Sequence, residues 1–252
     1  MVLFVTFLLL FVAAFLAGTL NAVAGGGGFL TLPALIHAGV APVVANATST
    51  FAVWPGSVAS AVAYRRDIKV SRTALLSFGG VSLAGGLVGA WLLVRTSDTS
   101  FMRLLPWLML LAAGTFTFGD RLTGRHRARR GSDGHSVPAI GVLLQAAIAV
   151  YGGYFGGGMG IMMLATLSLA GMTDINEMNG LKAILGAAIN GVAVVAFIAQ
   201  GMVLWAPGLV MMAGAILGGY AGAAMARTID RRFVRFFVMA VGWTMTIYFF
   251  LR

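Results

Sequence analysis

Lys182, in "NEMNGLKAILGAAING" (176–191), is the one Lys or Arg set well inside an apolar run away from the basic loops. A charge at membrane depth is costly and marks a functional position by default. It can receive an anion, snorkel to the nearer surface, or pair with Glu177. Asn179 lies one turn before it and Asn190 two turns after it on about the same face, so the three make a polar stripe. The first half has its own polar run, "ANATSTF" (45–51), with Asn46, Thr48, Ser49 and Thr50. These side chains can meet a substrate or cap a helix end.

Two glycine clusters supply the other chemistry: "NAVAGGGGFLTLP" (21–33) and "YFGGGMGIMM" (154–163). Gly25, Gly26, Gly27 and Gly28 in the first, and Gly156, Gly157 and Gly158 in the second, let the backbone unwind. A helix restarting after such a break presents unpaired N–H groups and partial positive charge, which suits an anion. The restarts fall near Phe29 and Ile161 and are expected to face one another. The alternative use of these glycines is close helix packing. Asn21, just before the first break, joins the candidates as either a substrate contact or a cap.

Other chemistries find no support. A dinucleotide fingerprint needs a strand before its glycines, and no alternating strand pattern exists. The chain has no cysteine, which excludes disulfides and thiolate sites. No Ser–His–Asp ordering, metal-ligand cluster or paired carboxylate emerges, so neither enzyme, metal nor cofactor is expected. His37 reads as a polar end-cap, and Asp174 and Glu177 as loop or capping residues. Asp67, Asp98, Asp120, Asp133 and Asp230 fall in loops or at their edges. No carboxylate sits at mid-membrane, which favours an anion path and leaves coupling open.

The elements that must position these residues are membrane segments. The 252 residues are 60% hydrophobic and 10% charged, where a globular domain carries about a quarter charged residues. Apolar stretches fall at about 2–24, 29–38, 44–64, 73–94, 102–118, 138–155, 160–171, 180–199, 208–226 and 233–251. Most match the roughly 20 residues that a bilayer core demands. The segments 29–38 and 160–171 are too short to cross comfortably, and each follows a glycine cluster. The N-terminal stretch lacks the basic region of a signal peptide and reads as a segment. The expected fold is an all-α polytopic membrane protein, spanning 1–118, a basic linker 119–136, and 137–252.

The two sides of the linker resemble each other at an offset of about 132 residues. "GGGGFLTLPALIHAGV" (25–40) matches "GGMGIMMLATLSLAGM" (157–172), "LAGGLVGA" (83–90) matches "ILGGYAGA" (216–223), and "FMRLL" (101–105) matches "FVRFF" (233–237). The offset sets Thr50 opposite Lys182. Loop charges then orient the halves. "RRDIKVSR" (65–72) carries four basic residues and its counterpart 199–207 none, while "RTIDRRFVR" (227–235) carries four against two in 95–103. Basic loops stay cytoplasmic, so equivalent loops lie on opposite sides and the repeats are inverted, with about five segments each. In a cell (inner) membrane both termini are then outside and the linker is cytoplasmic. Whether the two short segments span or are re-entrant stays open, since both preserve parity. Inverted repeats with paired glycine breaks point to a secondary transporter with its site where the repeats meet.

"GTLNAVAGGGGFLTLPALIHAGVAPVVANATSTFAVWPGSVASAVAYRRDI" resembles the first repeat of the TauE/SafE family of sulfite-exporter-like permeases. The resemblance rests on Asn21, Gly25 to Gly28, Pro33, Gly39, Pro42 and Ala47-Thr48-Ser49. "GGYFGGGMGIMM" and "NGLKAILGAAINGV" resemble its second repeat. The resemblance implies movement of small anions, sulfite and organosulfur compounds among them, without selecting one. The second half departs by Thr166 in place of a Pro-Ala step and by Gly180-Leu181-Lys182 in place of Thr-Ser-Thr. Together these readings give a secondary transporter of a small anion, sulfite or an organosulfur anion, working by alternating access. A passive anion channel and a non-transporting membrane subunit are the alternatives. The partners expected are the anion and the lipid bilayer, with no nucleic acid.

Overall fold

The computed structural model describes residues 2–23, 27–127, 139–225 and 231–251. Ten helices account for them: α1 (Val2–Val23), α2 (Gly28–His37), α3 (Pro42–Ala63), α4 (Arg72–Val94), α5 (Asp98–Arg127), α6 (Ala139–Tyr154), α7 (Met159–Leu169), α8 (Ile175–Ala199), α9 (Trp205–Met225) and α10 (Arg231–Leu251). No strand occurs among the described residues. Residues 3–22, 72–94 and 175–199 form helices long and apolar enough to cross a membrane.

The partition of side chains is that of a protein solvated by lipid. Leu3, Phe4 and Leu9 on α1, Leu87 and Trp91 on α4, and Trp107 and Leu111 on α5 are exposed. Asn46, Thr48, Thr50, Ser57, Ser82, Gln145, Asn179, Lys182 and Asn190 are buried. Water would penalise so large an apolar surface, whereas in hydrocarbon it is the polar groups that must be enclosed. The chain is an all-α polytopic membrane protein.

Helix pairings repeat under exchange of α1–α5 with α6–α10. α1 packs on α9 as α6 packs on α4, α3 on α9 as α8 on α4, and α1 on α2 as α6 on α7. α3 against α8 and α5 against α10 are their own counterparts. α5 packs on α7 more extensively than α10 on α2, and two lesser contacts, α3 on α5 and α1 on α10, lack counterparts of like extent among the described residues. Where α3 crosses α8, the Trp54 indole N–H donates to the Ala187 carbonyl at 2.9 Å.

Loop contacts sort to opposite ends of α3. Asp98 accepts the Val43 N–H at 2.8 Å, and the Leu204 N–H donates to Thr48 Oγ1 at 3.1 Å, so loops 95–97 and 200–204 lie by its start. Beyond its end, Glu177 accepts the Lys69 N–H at 3.1 Å, setting loop 65–71 beside the start of α8.

Two helix ends depart from the apolar segments. α8 starts at Ile175 rather than near 180, because Asp174 accepts the Asn176 N–H at 2.9 Å and caps the first turn. α5 runs on to Arg127, into the polar stretch read as linker. A helix satisfies its own backbone and does not stop where its side chains turn polar. Residues 128–138 of the linker and 226–230 of the last basic loop lie outside the described residues.

Candidate functional site

The two breaks meet. A Cβ built on Gly28 would lie 2.8 Å from the Gly157 Cα and 3.3 Å from its nitrogen, so the two backbones touch with no room for a side chain. Gly27 precedes α2 and lies hard against α1, its Cβ position 2.6 Å from the Ala17 carbonyl. Gly156 and Gly158 hold φ of 77° and 78°, a conformation open to glycine and strained for other residues. Gly158 is the N-cap of α7. The N-terminal ends of α2 and α7 therefore converge from the two halves, bringing the partial positive charge of both helix ends together. Gly25 and Gly26 lie outside the described residues.

Beside this junction is a small cavity of about 20 Å³, lined by Asn21, Ser57, Asn179 and Lys182 with the first turn of α7 at Met159 and Gly160. Space of that size holds about one water. Lys182 is 6% exposed, and its Nζ donates to Asn179 Oδ1 at 2.8 Å. Glu177 is turned to Lys69 instead, and no carboxylate pairs with Lys182 among the described residues. The Asn21 amide donates to Ser57 Oγ at 3.2 Å. The hydroxyls of Ser57 and Ser60 donate back to the Val53 and Gly56 carbonyls at 3.4 and 2.9 Å. A buried cation whose one acceptor is a neutral amide is a site that a small anion would complete.

The other candidates lie elsewhere. Thr50 and Asn190 flank Gly156, not the Lys182 cavity. Asn190 is eight residues beyond Lys182, about 12 Å along the helix axis, so the stripe read from the sequence serves two places. Ser49 shares a 2.6 Å hydrogen bond with Thr31 on α2, and Thr48 takes the Leu204 N–H. His37 is exposed at the end of α2. Ser57, Ser60 and Tyr64 line the cavity and were not read as candidates. Their signal is the spacing Ser57, Ser60, Tyr64, three and four residues apart and so on one face at the end of α3.

A family model described as "Sulfite exporter TauE/SafE" matches residues 10–249. A Haemophilus influenzae "Probable membrane transporter protein" is 30% identical over 239 residues, covering 94% of this chain and 92% of the relative. "Probable membrane transporter protein ORF9" of a Sinorhizobium species is 31% identical over 242 residues, 94% of this chain and 90% of the relative. "Probable membrane transporter protein YfcA" of Escherichia coli K12 is 29% identical over 238 residues, 94% and 87% respectively. No solved structure matches the chain.

Proposed function

The chain belongs to the sulfite-exporter TauE/SafE family, and on that premise we propose that this membrane transporter carries a small, sulfur-containing anion such as sulfite by alternating access. The observation that carries the anion is Lys182, buried without a carboxylate beside the first turn of α7. Lys182, Asn179 and Asn21 hold the substrate, with Gly27, Gly28, Gly157 and Gly158 bringing the helix ends to it. Sulfite is small, singly to doubly charged near neutral pH and rich in acceptor oxygens, which suits one ammonium and nearby amide donors.

Alternating access is supported by the exchange of helix pairings between the halves. If the repeats are inverted in the membrane, as the loop charges indicate, one packing adopted by either half gives two states of similar energy. Loops 65–71 and 200–204 lying at opposite ends of α3 supports that orientation. The space at this site is room for about one water, so on the carrier reading the walls part to admit substrate. Cytoplasmic placement of 65–71 puts both termini outside, in the inner membrane.

The test is flux in proteoliposomes with sulfite, sulfate, thiosulfate and organosulfonates. A carrier gives saturable uptake and counterflow for at least one of them. Unsaturated flux without counterflow identifies a channel, and no flux of any anion identifies a non-transporting subunit.

A further inference from the structure

Around Gly156 the chain gathers oxygen atoms in place of a cation. The point where a Cβ on Gly156 would sit is 3.4 Å from the Gly152 carbonyl oxygen and 3.9 Å from both Asn190 Oδ1 and Thr50 Oγ1. Asn190 is 3% exposed, and its Oδ1 has no hydrogen-bond partner. Such an orphan is expensive and rare in a folded interior. The Thr50 hydroxyl donates its proton to the Asn46 carbonyl at 2.9 Å, so toward Gly156 it can only accept. The N–H groups of Phe155 and Gly156 both bond to the Tyr151 carbonyl, at 2.9 and 3.5 Å, passing over the Gly152 carbonyl at the end of α6. That helix end carries partial negative charge.

We infer that Asn190, Thr50 and the Gly152 carbonyl form a binding site for a monovalent cation of the sodium class. All three oxygens are neutral acceptors lying within 3.9 Å of one point beside Gly156. Calcium and magnesium draw on carboxylates, and none of the three ligands is one. A broken helix whose free carbonyls meet side-chain oxygens is the arrangement that holds such an ion within a membrane. On the carrier reading, which the coupling role rests on though the site does not, the cation travels with the anion and offsets its charge.

The experiment measures ²²Na⁺ binding to the purified full-length chain in choline buffer, with no sulfur anion present, so that it is independent of anion flux. Wild type should bind ²²Na⁺ saturably, with displacement by unlabelled Na⁺. Asn190→Ala and Thr50→Val should weaken this about 10-fold or more, at least the effect of losing a supporting group at an ion site. Asn190→Asp, which keeps the oxygen, and Lys182→Met, at the other cavity, should retain it. Absence of saturable binding in wild type, or wild-type affinity in Asn190→Ala, would overturn the site and leave a water on the orphan oxygen. Should Asn190→Ala fail to purify as a monodisperse species, the nearly isosteric Thr50→Val decides by the same criterion. Retained ²²Na⁺ binding with no anion flux from proteoliposomes would reject the carrier and support the cation site.

Discussion

Lys182→Met should raise the stability of the substrate-free protein while removing its grip on the anion. Lys182 is buried, with one hydrogen bond to Asn179. A lysine within a spanning helix is disfavoured by up to about 2.5–3.5 kcal/mol, the value at the helix centre. A hydrogen bond to a charged group returns about 1.5–3 kcal/mol. The balance is a net cost of about 1 kcal/mol, which an apolar side chain of similar length removes. For a chain of this size that is a rise of about 2–4 °C in the thermal midpoint. Binding moves the other way, since removing one partner of a buried charge pair costs about 2–5 kcal/mol, or about 30-fold or more in affinity. Thermal unfolding in detergent, with and without sulfite, reads both effects in one series. Wild type should gain stability with sulfite and the variant should not. A lower midpoint for Lys182→Met together with an unchanged sulfite response would refute the assignment, since a lysine placed for structure behaves that way.

Gly28→Ala forces a methyl to 2.8 Å from the Gly157 backbone. Overpacking of that kind costs about 1–3 kcal/mol, so the thermal midpoint and the flux should both fall, and an unchanged midpoint would contradict the contact. Gly218 and Gly219 are neighbours on α9 with opposite tolerances: a Cβ on Gly218 collides with the Phe15 carbonyl of α1, while one on Gly219 finds its nearest atom at 3.7 Å. Gly218→Ala should reduce the yield of folded protein and Gly219→Ala should leave it near wild type, as size-exclusion profiles will show. Single cysteines placed in the cysteine-free chain at Lys69 and Gln200 should label from opposite faces of the membrane; labelling from one face would remove the inverted orientation.

The helices were legible because lipid imposes a length and a composition on each segment, and all ten apolar runs became helices. Their ends were less so. The start of α8 is set by the Asp174 cap and the end of α5 by backbone continuity, and hydropathy sees neither. The meeting of the breaks was foreshadowed by paired glycines, although only the structure shows that Gly28 abuts Gly157 itself. The polar stripe on α8 was legible in angle and not in depth, since periodicity reports only the first. Asn190 and Lys182 share a broad face yet lie about 12 Å apart along the axis. Ser57 and Ser60 escaped notice because a lone serine in an apolar helix bonds its own backbone equally well, and both do so. What makes them cavity residues is the approach of α1, α7 and α8, which one segment cannot encode.

A symmetric frame with one lysine has a kinetic consequence. For halves that exchange roles, the empty carrier should cross freely only if both states have similar energies. Lys182 lies toward the loop 65–71 end, beside Tyr64, and on the carrier hypothesis that chamber opens to the cytoplasm. Open, the ammonium is hydrated; closed and empty, it carries the net cost of about 1 kcal/mol set by burial against its one hydrogen bond. A bound anion cancels that cost by pairing with it. The loaded carrier should therefore close and turn over about fivefold faster than the empty one. The measurement compares sulfite counterflow with net efflux into anion-free buffer, using the same proteoliposomes at fixed Na⁺. Exchange should exceed net efflux by about that factor, since only net efflux requires the empty carrier to return. Equal rates would mean that Lys182 imposes no barrier on the empty state, and the anion would have to be held by the helix ends alone.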